Sequence, residues 1–282
     1  MKKRTFLTYE KPLLTCMVQA DNPGRIKELI DASVPEGAEA IGMQFCKLKA
    51  EYRNEEIYKD LLSYSDLPVY VTNYRKHNSN AGKSDDTLAA ELLTFAECGA
   101  TLCDVMGDYF DPCEGELTMN EEAVKKQMKL IDELHERGAE VLMSSHVLKF
   151  THAERVLEIA LEQQKRGADI CKIVTGAKCA EQQIENLRIV NLLKENLKIP
   201  FLYLSGGECR ILRRIGGALG CCMYLCVHEY DEYATKSQPL LRPLDTCLSA
   251  FSLRFPQDFA AIPLSRAILT APHPITIGSY SV

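Results

Sequence analysis

The sequence predicts an α/β protein folded as a (β/α)8 TIM barrel, and three observations point there. Eight short apolar runs alternate with charged, helically periodic stretches over most of the 282 residues. The runs are continuously apolar, as strands of a parallel sheet covered on both faces are. No Gly-x-Gly-x-x-Gly or Gly-x-x-x-x-Gly-Lys follows a strand, which weakens the open doubly wound alternatives.

Taken in order, LLTCMVQA (13–20) reads as the first strand, followed by a helix that Asp21-Asn22-Pro23 opens in the manner of a cap with an early proline. AEAIGMQF (38–45) precedes a charged helix at 51–63, and PVYVTNYR (68–75) precedes a polar loop and then the helical DDTLAAELLTFAECG. ATLCDVMG (100–107) leads to a helix at 120–137, and EVLMSSHV (140–147) to one at 151–166. DICKIVTG (169–176) leads to 180–196, FLYLSGG (201–207) to 208–219, and CCMYLCVH (221–228) to a polar loop and 243–251. Ser205-Gly206-Gly207 ends the seventh run, where barrels often bind an anion; a plain tight turn explains it equally well. Residues 1–251 are therefore expected to form the barrel, with 252–282 as a C-terminal extension of unknown role, apolar and carrying five prolines or glycines.

The bulk numbers bound the function. A net charge of −6 without a basic block argues against nucleic acid and against an anionic membrane surface as partners. The start, MKKRTFLTYEKP, has basic residues but no apolar core after them, so it does not read as a signal peptide, and a cytoplasmic protein is expected. Twelve cysteines without a Cys-x-x-Cys read as reduced thiols serving as small core hydrophobes. Six scattered histidines form no ligand-like cluster, so no metal is expected.

Chemistry enters with Lys172, in the apolar run GADICKIV, where a solvated ammonium is costly. A neutral, positioned amine attacks ketones to form a Schiff base. His146 ends the preceding apolar run, so an amine nucleophile and an acid/base group stand on consecutive strands. The plain alternative is a lysine that snorkels from a strand end and a histidine in a loop. Barrel enzymes gather reactive groups at the carboxyl ends of strands, and there stand Gln44, Arg75, Asp104 to Asp108, His146, Lys172, Arg213 and Gln238. That set suits a small polyhydroxy keto acid, its carbonyl on the lysine and its carboxylate on an arginine.

VLMSSHVLKFT followed by RGADICKIVT resembles the histidine and lysine segments of type I 3-dehydroquinate dehydratase. VTNYRKHNSNAGKS, RRIGGALGC and YATKSQPL resemble three further segments of that family, and the likeness runs in order over residues 12 to 250. The resemblance implies a cofactor-free hydro-lyase, usually a homodimer, of the shikimate pathway. Lys172 would form the imine with the ketone, and His146 would move protons at the adjacent carbon and the leaving hydroxyl. Arg213 matches the family's carboxylate-binding arginine, Gln238 the glutamine of its closing loop, and Arg75 an arginine on the substrate's hydroxyl side. The serine of that loop falls near Ala234 or Thr235.

Two departures stand out. Where the family's second strand carries glutamate, an aromatic and arginine, this chain has Gly42, Met43 and Gln44. The acidic residue that orients the histidine is replaced, within HNSNAG, by Ser79 or a neighbouring asparagine, leaving Asp104 or Asp108 as candidates for that role. The imine-forming half is thus retained and the hydroxyl-recognising half remodelled, a change worth more in preference than a lost methylene. Dehydration of 3-dehydroquinate or a related cyclic β-hydroxy ketone is the leading expectation. An imine-forming lyase or aldolase on another keto substrate and a non-catalytic binding homologue are the alternatives.

Overall fold

The computed structural model describes residues 5–7 and 11–250; the expected extension at 252–282 lies outside them. Eight strands alternate with eight helices: β1 (Leu13–Val18), α1 (Pro23–Ser33), β2 (Ala40–Gln44), α2 (Glu55–Leu62), β3 (Val69–Thr72), α3 (Asp85–Glu97), β4 (Leu102–Met106) and α4 (Glu121–Glu136). Then come β5 (Glu140–His146), α5 (Ala153–Lys165), β6 (Ile170–Ala177), α6 (Ala180–Asn196), β7 (Phe201–Gly207), α7 (Leu212–Leu219), β8 (Met223–Cys226) and α8 (Leu241–Ala250). Helix starts follow their sequence signals. The side chains of Asn22, Asn54, Ser84 and Asn120 each accept a backbone N–H of the first turn, and paired acids follow the last three caps.

The strands pair in the order β7-β6-β5-β4-β3-β2-β1-β8, and every ladder is parallel. Cys222, just before β8, donates to the Phe201 carbonyl of β7 at 2.9 Å, so the barrel is nearly closed. Eight parallel strands with a helix after each make a (β/α)8 barrel, as the alternation predicts.

Side chains of period two divide the core. Leu14, Cys16, Ile41, Val69, Cys103 and Val141 face outward and pack with α1 to α4. Leu13, Met17, Ala40, Tyr70, Leu102, Leu142, Leu202 and Met223 fill the interior. Each fully buried leucine is worth roughly 1.5–3 kcal/mol. The same period turns Gln44, Asp104, Ser144, His146 and Lys172 inward, so polar groups replace apolar filler toward the carboxyl ends of β2, β4, β5 and β6.

Candidate active site

Lys172 opens no gap in the apolar strand, because the interior is built to receive it. Its Nζ donates to Asp104 Oδ2 at 3.0 Å, to Tyr70 Oη at 3.0 Å and to Tyr74 Oη. Three N–H bonds thus meet three acceptors, with the side chains of Lys172 and Asp104 only 4% and 0% exposed. Asp104 is saturated as well: Oδ2 also accepts from Tyr70 and from Tyr74 (2.6 Å), and Oδ1 accepts from Ser144 at 2.5 Å. Burial opposes its charge, yet the Lys172 ammonium and these hydroxyls outweigh it and hold the carboxyl below its ordinary value. Burial, then the Asp104 charge, push both phenols well above theirs, so Tyr70 and Tyr74 are neutral hydrogen-bonding groups. The lysine foreseen as costly in an apolar strand is a paired one.

In the ladder between β5 and β6, Ser144 is opposite Lys172 and His146 is opposite Val174. His146 therefore stands one inward step closer to the mouth than the amine. Its Nδ1 meets Glu116 Oε2 at 2.7 Å, and its backbone N–H donates to the same oxygen at 3.0 Å. Burial raises the Glu116 carboxyl, but the hydrogen bond and charge of His146 win and hold it at about 2. A carboxylate at Nδ1 fixes the proton there and leaves Nε2 as the ring's acceptor. Tyr74 packs edge-on against the imidazole, ring centroids 5.1 Å apart at 84°, and so touches both the lysine and the histidine.

Glu116 is the orienting carboxylate, which corrects the expectation for Asp104 or Asp108. Asp104 serves Lys172, while Asp108 receives Arg75 at 3.3 Å. Asn80 of HNSNAG does not take the role either; it folds its own loop, donating to Asn73 Oδ1 at 2.9 Å and the Tyr74 carbonyl at 3.0 Å. Glu116 lies in the long loop between β4 and α4, with φ 51. Two features hold that segment against the barrel end. At Gly107 an added Cβ would lie 2.5 Å from the Glu116 carbonyl oxygen, so a side chain there is excluded. The buried Arg166 of the turn after α5 donates to the Gly107 carbonyl at 3.2 Å and the Thr118 carbonyl at 2.5 Å.

A cavity of about 270 Å³ opens beside His146, lined by Gln44, Tyr74, Arg75, His77, Glu116 and Leu148 among others. Gln44 faces it but bonds His77 Nε2 at 2.8 Å, and burial, then the Lys47 charge, hold that imidazole below its ordinary value. Arg75 also faces the cavity, with its guanidinium engaged: two bonds of 2.8 Å to Asp85 and a longer contact to Asp108. The Gly42 departure has a physical cause. A Cβ there would lie 2.1 Å from Met17 Sδ, so the thioether of β1 fills the place of a β2 side chain.

Arg213, Gln238 and Thr235 stand outside that lining. Thr235 Oγ1 donates to Gln19 Oε1 at 3.0 Å, and Gln19 Nε2 donates to Gln238 Oε1 at 3.4 Å. Lys47 Nζ reaches the same Gln19 oxygen at 2.7 Å. Arg213 is buried, donates through Nε to the Ser205 carbonyl at 3.0 Å, and has no carboxylate partner among the described residues. Burial, with Arg210 nearby, lowers its guanidinium to about 10, which leaves it cationic at neutral pH. Ser205, Gly206 and Gly207 are the end of β7, paired with Thr175, Gly176 and Ala177 of β6, rather than a turn, and the Ser205 carbonyl holds the arginine; the Ser205 hydroxyl itself is buried against Asn186 and the Cys209 carbonyl.

Residues 24–249 match the family model described as type I 3-dehydroquinase. Among solved structures, a 3-dehydroquinate dehydratase from Geobacillus kaustophilus superposes with a TM-score of 0.73 at 14% identity, covering 89% of this chain and 97% of that one. A type I 3-dehydroquinate dehydratase from Clostridium difficile, with covalently modified comenic acid, gives 0.72 at 14% identity over the same shares. The enzyme from Enterococcus faecalis gives 0.68 at 16%, covering 88% and 99%. No curated protein sequence matches.

Proposed function

The chain belongs to the type I 3-dehydroquinase family, and from that premise we propose that it removes water from 3-dehydroquinate, or a closely related cyclic β-hydroxy ketone, through an imine on Lys172. The observation that carries the reading is the pairing of each reactive group with its own carboxylate. Lys172 is held by Asp104 and His146 by Glu116, on adjacent strands with Tyr74 between them.

The chemistry follows from that arrangement. Condensation of the ketone with Lys172 makes a cationic carbon–nitrogen double bond, which draws electrons from the neighbouring C–H. Nε2 of His146, its proton fixed on the far nitrogen by Glu116, removes that hydrogen and then protonates the departing hydroxyl. Hydrolysis of the product imine returns the free lysine. Arg213, the buried guanidinium without a carboxylate partner among the described residues, receives the substrate carboxylate, with Gln238 and Thr235 completing that side. Gln44 faces the ring's hydroxyls, while Arg75, engaged by Asp85 and Asp108, shapes that wall more than it binds. The substrate is a small keto acid, the reaction uses no cofactor and the working unit is a homodimer, as the family resemblance implies; the expected place of work is the cytoplasm. No helix of the described residues is long and apolar enough to cross a membrane.

Appearance of enone absorbance with 3-dehydroquinate tests the reading. Turnover that Lys172→Met abolishes supports it; absence of enone with wild-type protein at high substrate rejects it. Arg213→Ala should raise KM by about 10²-fold, the scale of a lost charge-assisted pair. Arg75→Ala should instead lower stability more than affinity; an unchanged KM in Arg213→Ala rejects the carboxylate assignment.

A further inference from the structure

A fully caged ammonium is a poor nucleophile, and the cage must release a proton before Lys172 attacks. Each of its three N–H bonds ends on a different oxygen, and two of those oxygens are phenols that pass their own protons to Asp104 Oδ2. The phenols differ in position. Tyr70 is fully buried beneath the amine in β3, whereas Tyr74 lies beyond the strand end and lines the cavity beside His146. Any carbon bonded to Nζ carries its oxygen about 2.4 Å from that nitrogen by ordinary bond geometry. That oxygen falls within reach of Tyr74 Oη.

Building on the imine reading, we propose that Tyr74 is a catalytic residue for imine formation, moving protons between the lysine nitrogen and the substrate carbonyl oxygen, while His146 is kept for the adjacent carbon. The ammonium gives one proton to the Asp104 carboxylate, and the freed amine attacks the carbonyl carbon. The Tyr74 hydroxyl accepts a proton from the new N–H₂⁺ and donates its own to the alkoxide, giving the neutral carbinolamine. The proton held by Asp104 then returns through Tyr74 to the hydroxyl, which departs as water and leaves the iminium facing a restored carboxylate. One carbon–nitrogen double bond forms, one carbon–oxygen double bond is lost, and no charge leaves the cage. Product release reverses the sequence. Separate proton carriers suit a site in which His146 is tied by Glu116 on the other side of the Tyr74 ring.

The test is rapid-quench borohydride trapping of Lys172 with 3-dehydroquinate and, as an independent carbonyl probe, pyruvate. Tyr74→Phe keeps the ring against His146, and its melting curve checks the fold. It should slow trapping by about 10²-fold, the lower range for a lost acid–base group. Tyr70→Phe, which removes a phenol of the same cage away from the cavity, should slow it much less. A structural role would impair both alike. During turnover the trapped imine should be depleted in Tyr74→Phe and should accumulate in His146→Ala. Equal trapping rates in wild-type protein and Tyr74→Phe would overturn the proposal. Trapping of pyruvate but not 3-dehydroquinate would reject the substrate reading and leave Tyr74 to be judged on the pyruvate rates. Trapping of neither would overturn both.

Discussion

Removing the ammonium of Lys172 leaves Asp104 as a carboxylate with 0% exposed side chain and no counter-charge. Breaking a buried pair from one side costs roughly 3–5 kcal/mol, so Lys172→Met should lose about that much stability along with activity. Adding Asp104→Asn to it should restore part of the loss; urea midpoints of the two single variants and the double variant measure the coupling. Glu116 gives a pH signature. Its carboxyl is held at about 2 against an ordinary 4.5, so the folded value is the lower one. Its stabilisation is complete above the ordinary value and is lost as pH falls through the folded one, on the order of 3 kcal/mol. Glu116→Gln should flatten the acid limb of stability in that window and cut turnover about 10²-fold by freeing the imidazole. Unfolding curves at stepped pH check the first outcome, and an acid limb as steep as wild type would contradict it. At this scale Lys172 and His146 were legible because each is a polar residue inside or ending an apolar run. Tyr70 and Tyr74 were legible in principle, since PVYVTNYR places them on one face with period two.

Strand and helix boundaries follow the sequence closely because apolar runs and caps are local signals. The third strand shows the limit: it ends at Thr72, and Tyr74 and Arg75 belong to the turn that follows. Glu116 was out of reach for a different reason. It stands in an aperiodic loop, and what brings it to His146 is a set of distant contacts, chiefly Gly107 just past β4 and Arg166 after α5. No spacing rule encodes a loop pinned from two other elements. This predicts that Gly107→Ala, far from the amine in sequence, loses about 1–3 kcal/mol by overpacking against the Glu116 backbone. It should also lower kcat, since the shifted carboxylate no longer fixes the imidazole. Urea unfolding with kinetics on one preparation checks both, and wild-type values would show that the loop yields freely.

Over the whole molecule, one face of the barrel divides into two halves of different legibility. The β4 to β6 side carries the amine, the imidazole and their carboxylates, and its sequence segments resemble the family. The β1 to β2 side is rebuilt: Met17 fills the space over Gly42, and Gln44 turns to His77 where charged side chains stand in the family. The fold was legible because eight repeats of one pattern average out local ambiguity. The rebuilt wall was legible only as missing residues, since what replaces them comes from β1, which pairs beside β2 in space. Lys172 and His146 beside an altered wall make covalent capture the most direct test. Wild-type protein should be incubated with 3-dehydroquinate, reduced with borohydride, digested and mapped by mass spectrometry. A substrate- or product-derived adduct on Lys172, lost in Lys172→Met, is the predicted result. An adduct on another lysine, or none under conditions where enone forms, would contradict imine catalysis at this site.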